Sequence, residues 1–462
     1  MSDRLLRTLR VRNAHRPGVL GRLASAIGSA GANIGDIRTV WLGPEHIERD
    51  LDVLIEDLAE LEVVLQAVRE TADIELLEVI DDVHELHIDG KLEIRATHPV
   101  QSIHDLRRVY TPGVAEVVRS IVANPDDSYI FTTRGKSVAI VTNGTRVLGL
   151  GNVGPVASLP VMEGKAALLH QFIGISAWPI VLAERDADAI VETVKRFAPG
   201  FGAIQLEDIE SPVCFHVEER LVAELEMPVL HDDQHGTAVA ALAAVTNAMT
   251  RARLDLAKAR IGMLGLGAAG TAIARMLQGA SERPVLGFDP SADAQARLVK
   301  LGGEIVSSLD ELMLRADVVI AVSGKAGLIR PEQVRRGQGI LALTNPHPEI
   351  TPEAALVAGA AFAADGRSVN NLLGFPGILR AALDTRARRI TREMYVAAAR
   401  TIASLAGPNE LVPNPLRRDV HRAVARAVAL AAQESGVARV ETPSDYMQGE
   451  AGPRALAGTP GR

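Results

Sequence analysis

Hydrophobic positions near the start of the chain change between two spacings, which predicts short strands and helices in turn. Residues 5–12 form a strand-like run, and residues 19–30 place their apolar side chains at helical spacing. Residues 49–57, 58–70 and 72–81 continue with a strand, a helix and a closing strand. The pattern predicts a compact α+β unit over about residues 7–82.

Beyond a polar connector at residues 81–93, Val- and Ile-rich runs alternate with Ala-rich runs, which is typical of buried parallel strands covered by helices. Apolar residues make up 47% of the chain but aromatic residues only 3%, so the cores must be aliphatic. We predict four segments: a small domain at 1–85, two α/β domains at 86–245 and 246–435, and a poorly ordered Gly- and Pro-rich tail at 436–462.

Charge and cysteine content exclude several classes of protein. The 49 basic and 57 acidic residues give a net charge of −8, which argues against general nucleic-acid binding. Cys214 is the only cysteine, so no internal disulfide can form and a reducing compartment is expected. There is neither a secretory-type leader nor an apolar run of about 20 residues, so we expect a cytoplasmic protein without membrane contact.

A glycine-rich turn between a strand and a helix predicts a dinucleotide site. The apolar run 260–264 leads into GLGAAG and then an Ala-rich helix. Glycines at the first, third and sixth positions permit the tight turn, the approach of a pyrophosphate and close packing of the helix, whose N-terminus favours phosphate. The predicted cofactor-binding residues of this turn are Gly265, Gly267, Ala268, Ala269 and Gly270.

The following strands predict the rest of the cofactor site. The next strand ends at Asp289, and a carboxylate there would accept bonds from a ribose 2′-hydroxyl and repel a 2′-phosphate, which favours NAD over NADP. The alternative is that Asp289 only caps the next helix. Two later strands end at Ser323 and Asn345, which would lie beside the nicotinamide.

Acidic residues follow two other strand-like runs. Glu207 and Asp208 end one run, and Asp232 and Asp233 end another. Because ligand sites of open α/β sheets gather at strand carboxyl ends, these groups could hold a hard divalent cation, and Mg²⁺ and Mn²⁺ suit them equally. The alternative is that they cap turns and helices.

The N-terminal segment resembles the ACT family of small regulatory domains. The resemblance rests on R-P-G-V-L, followed after seven residues by G-(x)2-G-A-N-I, beginning at Arg16. It implies a ferredoxin-like α+β domain that binds a small-molecule effector, such as an amino acid, near residues 17–18 and 31–35. It also implies side-by-side pairing, and so a homo-oligomer, either a dimer or a tetramer. A dimerisation module without a ligand is the alternative.

Residues 104–390 resemble the malic enzymes through an ordered set of motifs. They are YTPGVA (110–115), RVLGLGNVGP (146–155), PVMEGKAALL (160–169), IQLEDI (204–209), HDDQHGTA (231–238), LTNPHPEI (343–350) and NNLLGFPG (370–377). The resemblance implies an α/β fold in which a malic enzyme N-terminal domain is followed by a Rossmann NAD-binding domain.

The resemblance also implies roles for individual residues. Glu207, Asp208 and Asp233 would ligate the metal, Lys165 would be the general base supported by Asp232, and Tyr110 would be the general acid. Malate would also be contacted by Arg146, Lys165, Asn345 and Asn371. The alternatives are a Tyr110 that packs in a turn and a Lys165 that is solvated near a helix start.

The implied reaction is oxidation and decarboxylation of (S)-malate to pyruvate and CO₂ with reduction of NAD. A malolactic-type lyase on the same scaffold, which would release lactate, is the alternative, and a non-catalytic metabolite sensor is a third hypothesis. Two departures from the family pattern stand out. The Asp-Arg/Ser-Lys-Gly sequence common after the second Rossmann strand is missing around Asp289, and we expect no acyltransferase-like C-terminal extension.

Overall fold

A computed structural model describes residues 5–447 except 148, 253, 279, 367 and 409. Contacts between residues divide the chain into two compact units, Met1–Glu93 and Ile94–Arg462. The first unit extends past the predicted domain end at residue 85, because a short helix at 82–87 packs against its first strand.

The first unit is an antiparallel sheet with two packed helices. Its elements are β1 (Leu5–Ala14), α1 (Val19–Ser29), β2 (Asn33–Leu42), β3 (His46–Ile55), α2 (Leu58–Glu70), β4 (Ile74–Ile80) and α3 (Asp82–His87). The strand order β2-β3-β1-β4 with the chain order βαββαβ is the ferredoxin-like arrangement. Alternate residues of β1 and β3, such as Leu9 and Val53, join Leu23 and Val64 of the helices in one core.

The strand β2 was not predicted from the sequence. No strand was expected between the helix at 19–30 and the strand at 49–57, yet Asn33–Leu42 pairs with β3 along a register interrupted by bulges. Nearly every side chain of β2 is exposed, so the strand lacks the buried period-two pattern that would have revealed it. Its pairing with β3 supplies the fourth strand of the sheet.

The second unit begins with three helices and a four-stranded parallel sheet. The elements are α4 (Ile103–Val109), α5 (Val114–Ala123), α6 (Ser128–Phe131), β5 (Ser137–Thr142), α7 (Pro155–Ile173), β6 (Ser176–Val181), α8 (Ala187–Phe197), β7 (Ala203–Leu206), α9 (Val213–Glu224), β8 (Val229–His231) and α10 (Asp232–Arg251). The order β6-β5-β7-β8 brings the ends of β7 and β8 side by side. The helix α10 runs through the predicted domain boundary at residues 245 and 246 and is buried along most of its length.

A six-stranded parallel sheet follows α10. Its elements are β9 (Ile261–Leu264), α11 (Ala268–Leu277), β10 (Leu286–Phe288), α12 (Ala292–Lys300), β11 (Glu304–Ile305), α13 (Leu309–Arg315), β12 (Val318–Ala321), β13 (Gly339–Ala342), α14 (Pro352–Val357) and β14 (Phe362–Asp365). In chain order the strands lie 3-2-1-4-5-6, which is the order of a dinucleotide-binding Rossmann sheet. The α/β fold with a Rossmann-like domain, predicted from the sequence, is confirmed.

Three helices complete the unit: α15 (Phe375–Asp384), α16 (Arg392–Ser404) and α17 (Arg418–Glu434). The described part of the predicted tail packs instead of lying free, since Val437 and Tyr446 are buried and the Tyr446 hydroxyl donates to Asp384 at 2.7 Å. The Gly and Pro content of this segment predicted disorder, and so the packing of Val437 and Tyr446 was not expected. The rest of that tail, residues 448–462, lies outside the described residues.

Within the described part of the chain, every helix is too short or too polar to cross a bilayer. The cytoplasmic location stays a prediction.

Candidate active site

Two neighbouring parallel strands deliver the acidic residues to one sheet edge. Glu207 and Asp208 follow the end of β7, and Asp233 lies in the first turn of α10, directly after β8. One carboxylate oxygen from each of these residues lies within 4.8 Å of the others. Asp208 adopts a left-handed backbone (φ 52°), which turns the chain sharply after the strand. The three residues predicted as metal ligands therefore form one cluster.

The electrostatics of this acidic trio (Glu207, Asp208 and Asp233) favour a bound cation. Burial, together with the neighbouring carboxylates, raises the pKa of Glu207 well above its usual value and that of Asp208 to about 7. The pKa of Asp233 is lowered despite burial, because His231 and Lys165 lie near it. The Asp233 side chain keeps 34% of its surface exposed and so leaves an approach to the cluster. A hard divalent ion with oxygen ligands fits this donor set.

Lys165 is held among the carboxylates by α7. Its Nζ lies 2.8 Å from Glu207 Oε1, donates a hydrogen bond to Asp232 and lies 4.7 Å from the centre of the Phe375 ring. Burial acts to lower the pKa of Lys165, but the charges of Asp232, Glu207 and Asp233 outweigh it and hold the pKa above its ordinary value. A base must be neutral, so a cation on the acidic trio would have to oppose these charges.

The two aspartates at the start of α10 face different partners. Asp232 is fully buried and accepts hydrogen bonds from Lys165 and from Asn371 Nδ2, the latter at 2.8 Å. Asp233 accepts a bond from the backbone N–H of Asp208 at 2.9 Å. A side chain at position 236 would overlap an oxygen of Asp232, so Gly236 is needed there. This geometry is consistent with the predicted roles, in which Asp232 supports Lys165 and Asp233 is a metal ligand.

The glycine turn has the shape that a dinucleotide phosphate requires. Gly265 has a left-handed backbone (φ 93°), and a Cβ at Gly270 would overlap the Gly265 carbonyl oxygen, so the start of α11 approaches the strand closely. The helix begins at Ala268 and Ala269, which places its N-terminus at the turn.

Asp289 supports this turn directly. Its carboxylate accepts hydrogen bonds from the backbone N–H of Leu266 at 2.7 Å and of Ser291 at 2.8 Å. The residue that caps α12 is Ser291, whose side chain accepts from Ala294, so Asp289 is not the helix cap of the alternative interpretation. The carboxylate is thereby anchored beside the glycine turn, where a ribose would lie.

A buried carboxylate that the sequence analysis missed organises the opposite end of the cofactor site. Glu349 accepts hydrogen bonds from the Ser323 backbone N–H and hydroxyl at 2.7 and 2.8 Å, and from the Thr344 hydroxyl at 2.6 Å. It therefore ties the ends of β12 and β13 together. Glu349 lies within the motif that contains Asn345, but only the tertiary structure shows what it contacts.

The predicted substrate residues reach this region from separate segments. The backbone N–H of Arg146 donates to the Asp208 carbonyl at 3.0 Å, and its Nη2 lies close enough to Gly324 that an added Cβ would stand 3.1 Å away. Arg146 thus spans the ends of both sheets of the second unit. Asn345 donates to the Gly366 carbonyl at 3.2 Å, and Asn371 is engaged with Asp232.

Tyr110, the predicted general acid, is largely exposed in the single chain. It ends α4, its ring is 68% exposed, and within the described residues its hydroxyl makes no hydrogen bond. Within the described residues, hydrogen bonds and ion pairs join Lys165 to Glu207 and Asp232, and none joins Tyr110 to them.

A hydrogen-bonded chain behind the metal ligands was also missed. Gln234 Nε2 donates to Glu218 at 2.6 Å and to His231 Nδ1 at 2.7 Å. With Nδ1 accepting from Gln234, the proton of His231 is placed on Nε2, which lies 3.2 Å from Asp233 Oδ2 but outside hydrogen-bond geometry. His235 Nε2 lies 2.7 Å from the other oxygen of Glu218. The end of this chain and the Asp208 backbone N–H therefore both approach Oδ2 of Asp233.

The fold and the site define a class of protein: a Rossmann-type dinucleotide-binding protein with an acidic metal site beside a buried lysine. The family model "Malic enzyme, N-terminal domain" matches residues 89–222. The model "D-isomer specific 2-hydroxyacid dehydrogenase, NAD binding domain" matches residues 232–324.

Individual relatives agree with these models. NAD-dependent malic enzyme 1 of Bacillus subtilis is 51% identical over 94% of this chain and 99% of its own length. The bifunctional malic/malolactic enzyme of the same organism is 44% identical over 76% of this chain and 92% of its own. The crystal structure of malic enzyme from Pyrococcus horikoshii superposes with a TM-score of 0.74 at 38% identity, covering 79% of this chain and 94% of that one. This chain belongs to the malic enzyme family.

The raised pKa values predict that metal binding releases protons. Because Asp208 has a pKa of about 7, it holds a proton at pH 6 that a cation must displace, and the raised pKa of Glu207 acts in the same direction. We expect Mn²⁺ affinity to rise between pH 6 and pH 8, and Asp208→Asn to weaken binding on the order of tenfold or more. Calorimetry measures the Mn²⁺ affinity at each pH, and its comparison in two buffers of different ionisation enthalpy gives the number of protons released. Equal affinity at the two pH values would contradict the prediction, and Asp255→Asn, an exposed carboxylate outside the cluster, is the control.

Proposed function

We propose that this protein catalyses the oxidative decarboxylation of (S)-malate to pyruvate and CO₂, with NAD as oxidant and Mg²⁺ or Mn²⁺ as the metal. The observation that carries the proposal is the buried Lys165, set between Glu207 and Asp232 beside the acidic trio. An acid–base group, a metal site and a dinucleotide turn are the three components that this reaction requires.

The chain's own residues account for substrate binding and proton transfer. Arg146 and Asn345, which lie at the ends of the two sheets, would bind the carboxylates of malate. When bound, the metal would polarise the C2 oxygen and NAD would accept the hydride. Lys165 Nζ would accept the C2 hydroxyl proton. Asp232 would fix the position of Lys165 through their hydrogen bond, and Asn371 would hold Asp232 by donating a second hydrogen bond to it.

Tyr110 would act at the end of the reaction by donating its hydroxyl proton to C3 after CO₂ has left. Its exposed ring must then approach the substrate, and a second copy of the chain that covered α4 would remove it from solvent.

A malolactic-type lyase is the second candidate, because a relative that is 44% identical is named a bifunctional malic/malolactic enzyme. Such an enzyme would return the hydride to pyruvate and release lactate. The 51% identity to an NAD-dependent malic enzyme over nearly the full chain favours the oxidoreductase.

Replacing the proposed base provides the direct test. With malate, NAD and Mn²⁺, the unmodified protein should accumulate free NADH, and Lys165→Ala should lower kcat by about 10²- to 10⁴-fold because proton transfer loses its base. NAD binding, followed by fluorescence quenching, should remain near normal. Lys136→Ala, an exposed lysine outside the site, is the matched control. Lactate without net NADH would refute the oxidoreductase, and retained turnover in Lys165→Ala would refute the assignment of the base.

We also propose that the first unit is an ACT-like regulatory domain. Its βαββαβ sheet supports this, as do the left-handed glycines Gly18 (φ 86°) and Gly31 (φ 102°), which flank α1 where an effector is expected. The relative covering 94% of this chain must include much of this unit as well.

Removal of the first unit tests its regulatory role. In a panel of amino acids, at least one should change the KM for malate of the full chain, and a variant beginning at Ile94 should not respond to it. The division of contacts at residue 93 makes this the natural truncation point. Identical kinetics and effector responses in the two proteins would exclude regulation through this unit.

A homo-oligomer is proposed from an exposed apolar face on α4 and α5. None of the residues of these two helices is buried, and Val118 and Val122, one helical turn apart, are 53% and 78% exposed. Large exposed apolar patches mark association surfaces in soluble proteins. The expected occupant is the same face of a second copy, as in most symmetric dimers.

A charge on this face should dissociate the assembly. Val118→Glu would place a carboxylate against an apolar interface, so light scattering should show a smaller particle mass than for the unmodified protein. Val357→Glu, at a 90% exposed valine on α14 outside this face, should leave the mass unchanged. An unchanged mass in Val118→Glu would show that this face is not the interface.

A further inference from the structure

The unit that carries the active site also contains a cavity whose lining does not include the acidic trio. It has a volume of about 580 Å³ and is lined by residues of α9, α10, α11, α12 and α16. This volume is within the range of small-molecule sites. None of the described lining residues belongs to the acidic trio, the proposed acid–base pair or the dinucleotide turn.

Positive charge dominates the lining. Arg275, Arg297, Lys300 and Arg392 all face the cavity, and among the described residues none of them has a carboxylate within ion-pair distance. The acidic residues of the lining are Glu218 and Glu219, and Glu218 is already engaged by His235 at 2.7 Å and by Gln234. Four cationic groups without ion-pair partners converging on one cavity create a field that attracts anions.

One of the four cations is held in place by the fold. The Arg297 guanidinium lies 4.7 Å from the centre of the Phe215 ring, and its Nη2 donates to the Leu266 carbonyl at 3.3 Å. Its Nε is buried and has no hydrogen-bond partner among the described residues. A buried donor without a partner costs free energy, which an anionic acceptor would recover.

We propose that this cavity binds a small organic anion that carries at least two negative charges, and that its occupancy changes the metal affinity of the active site. The cations match carboxylate or phosphate groups, and the apolar lining, including Phe215 and Met276, suits a carbon skeleton. This binding activity goes beyond malate turnover and does not require it.

The proposed coupling between the cavity and the metal site follows from a continuous path of contacts between them. Glu218, on the cavity wall, accepts a hydrogen bond from Gln234, which also bonds His231, and His231 faces Asp233 of the acidic trio. An anion beside Glu218 adds repulsion at the start of this path, and Asp233 is at its end. Thermodynamic linkage requires that any such effect be reciprocal between anion and metal.

Two probes distinguish the possible anionic groups: tricarballylate for carboxylates and phenyl phosphate for a phosphate ester. Calorimetric titrations use the full-length protein with saturating NAD, Mg²⁺ and tartronate, which occupy the proposed cofactor and substrate sites. We expect one saturable site per chain for at least one probe. The double variant Arg275→Ala/Lys300→Ala should weaken that binding tenfold or more. Arg400→Ala, an exposed arginine on α16 outside the cavity lining, should not change it.

A second measurement follows free Mn²⁺ by its paramagnetic resonance signal, with and without the bound probe and without NAD or tartronate. We expect the probe to change the Mn²⁺ dissociation constant at least twofold in the unmodified protein and not in the double variant. Absence of saturable binding by either probe, or equal binding by the double variant, would overturn the anion site. An unchanged Mn²⁺ constant with the probe bound would overturn the coupling. Neither result depends on whether malate is the substrate.

Discussion

The arrangement of this active site depends on carboxylates that are buried too close together to be stable as bare charges. Glu207, Asp208 and Asp233 lie within a few ångströms of one another, and Asp232 is fully buried beside them. Lys165 offsets part of this charge and is in turn held protonated by it. Buried like charges are tolerated only where opposite charge is supplied, so the cluster is built for a lysine and a divalent cation together.

Parallel sheet geometry creates this crowding. The strands β7 and β8 are neighbours, so the residues that follow them are delivered to the same edge, although 25 positions separate Asp208 from Asp233 in the chain. The Rossmann sheet does the same for Asp289 and Ser323. Arg146 joins the two edges, because its backbone bonds Asp208 while its side chain lies against Gly324. The acidic trio, Asp289 and Ser323 are thus placed by the carboxyl ends of parallel strands, where ligand sites of α/β sheets gather.

Residues that hydrogen-bond to the predicted site residues hold those residues in position. Glu349 holds the ends of β12 and β13, and the chain from Glu218 through Gln234 and His231 backs Asp233. Partners of this kind fix the orientation of metal ligands and catalytic groups. The same chain forms a wall of the basic cavity, so the interior of this unit connects two sites through a few polar residues in an otherwise aliphatic core.

The sequence by itself determined the α/β class and the Rossmann turn at Gly265–Gly270, because hydrophobic period and glycine spacing are local patterns. It also placed four acids at strand ends, but only the ordered malic enzyme motifs singled out Glu207, Asp208 and Asp233 among them. It did not reveal β2, whose exposed side chains carry no buried period, or the packing of Val437 and Tyr446, which lie in a Gly- and Pro-rich segment. Only the tertiary structure decided that Asp289 anchors the glycine turn, that Glu349 joins the ends of β12 and β13, and that four cations from three helices line one cavity. These facts depend on residues brought together from distant parts of the chain, and no local pattern records such distances.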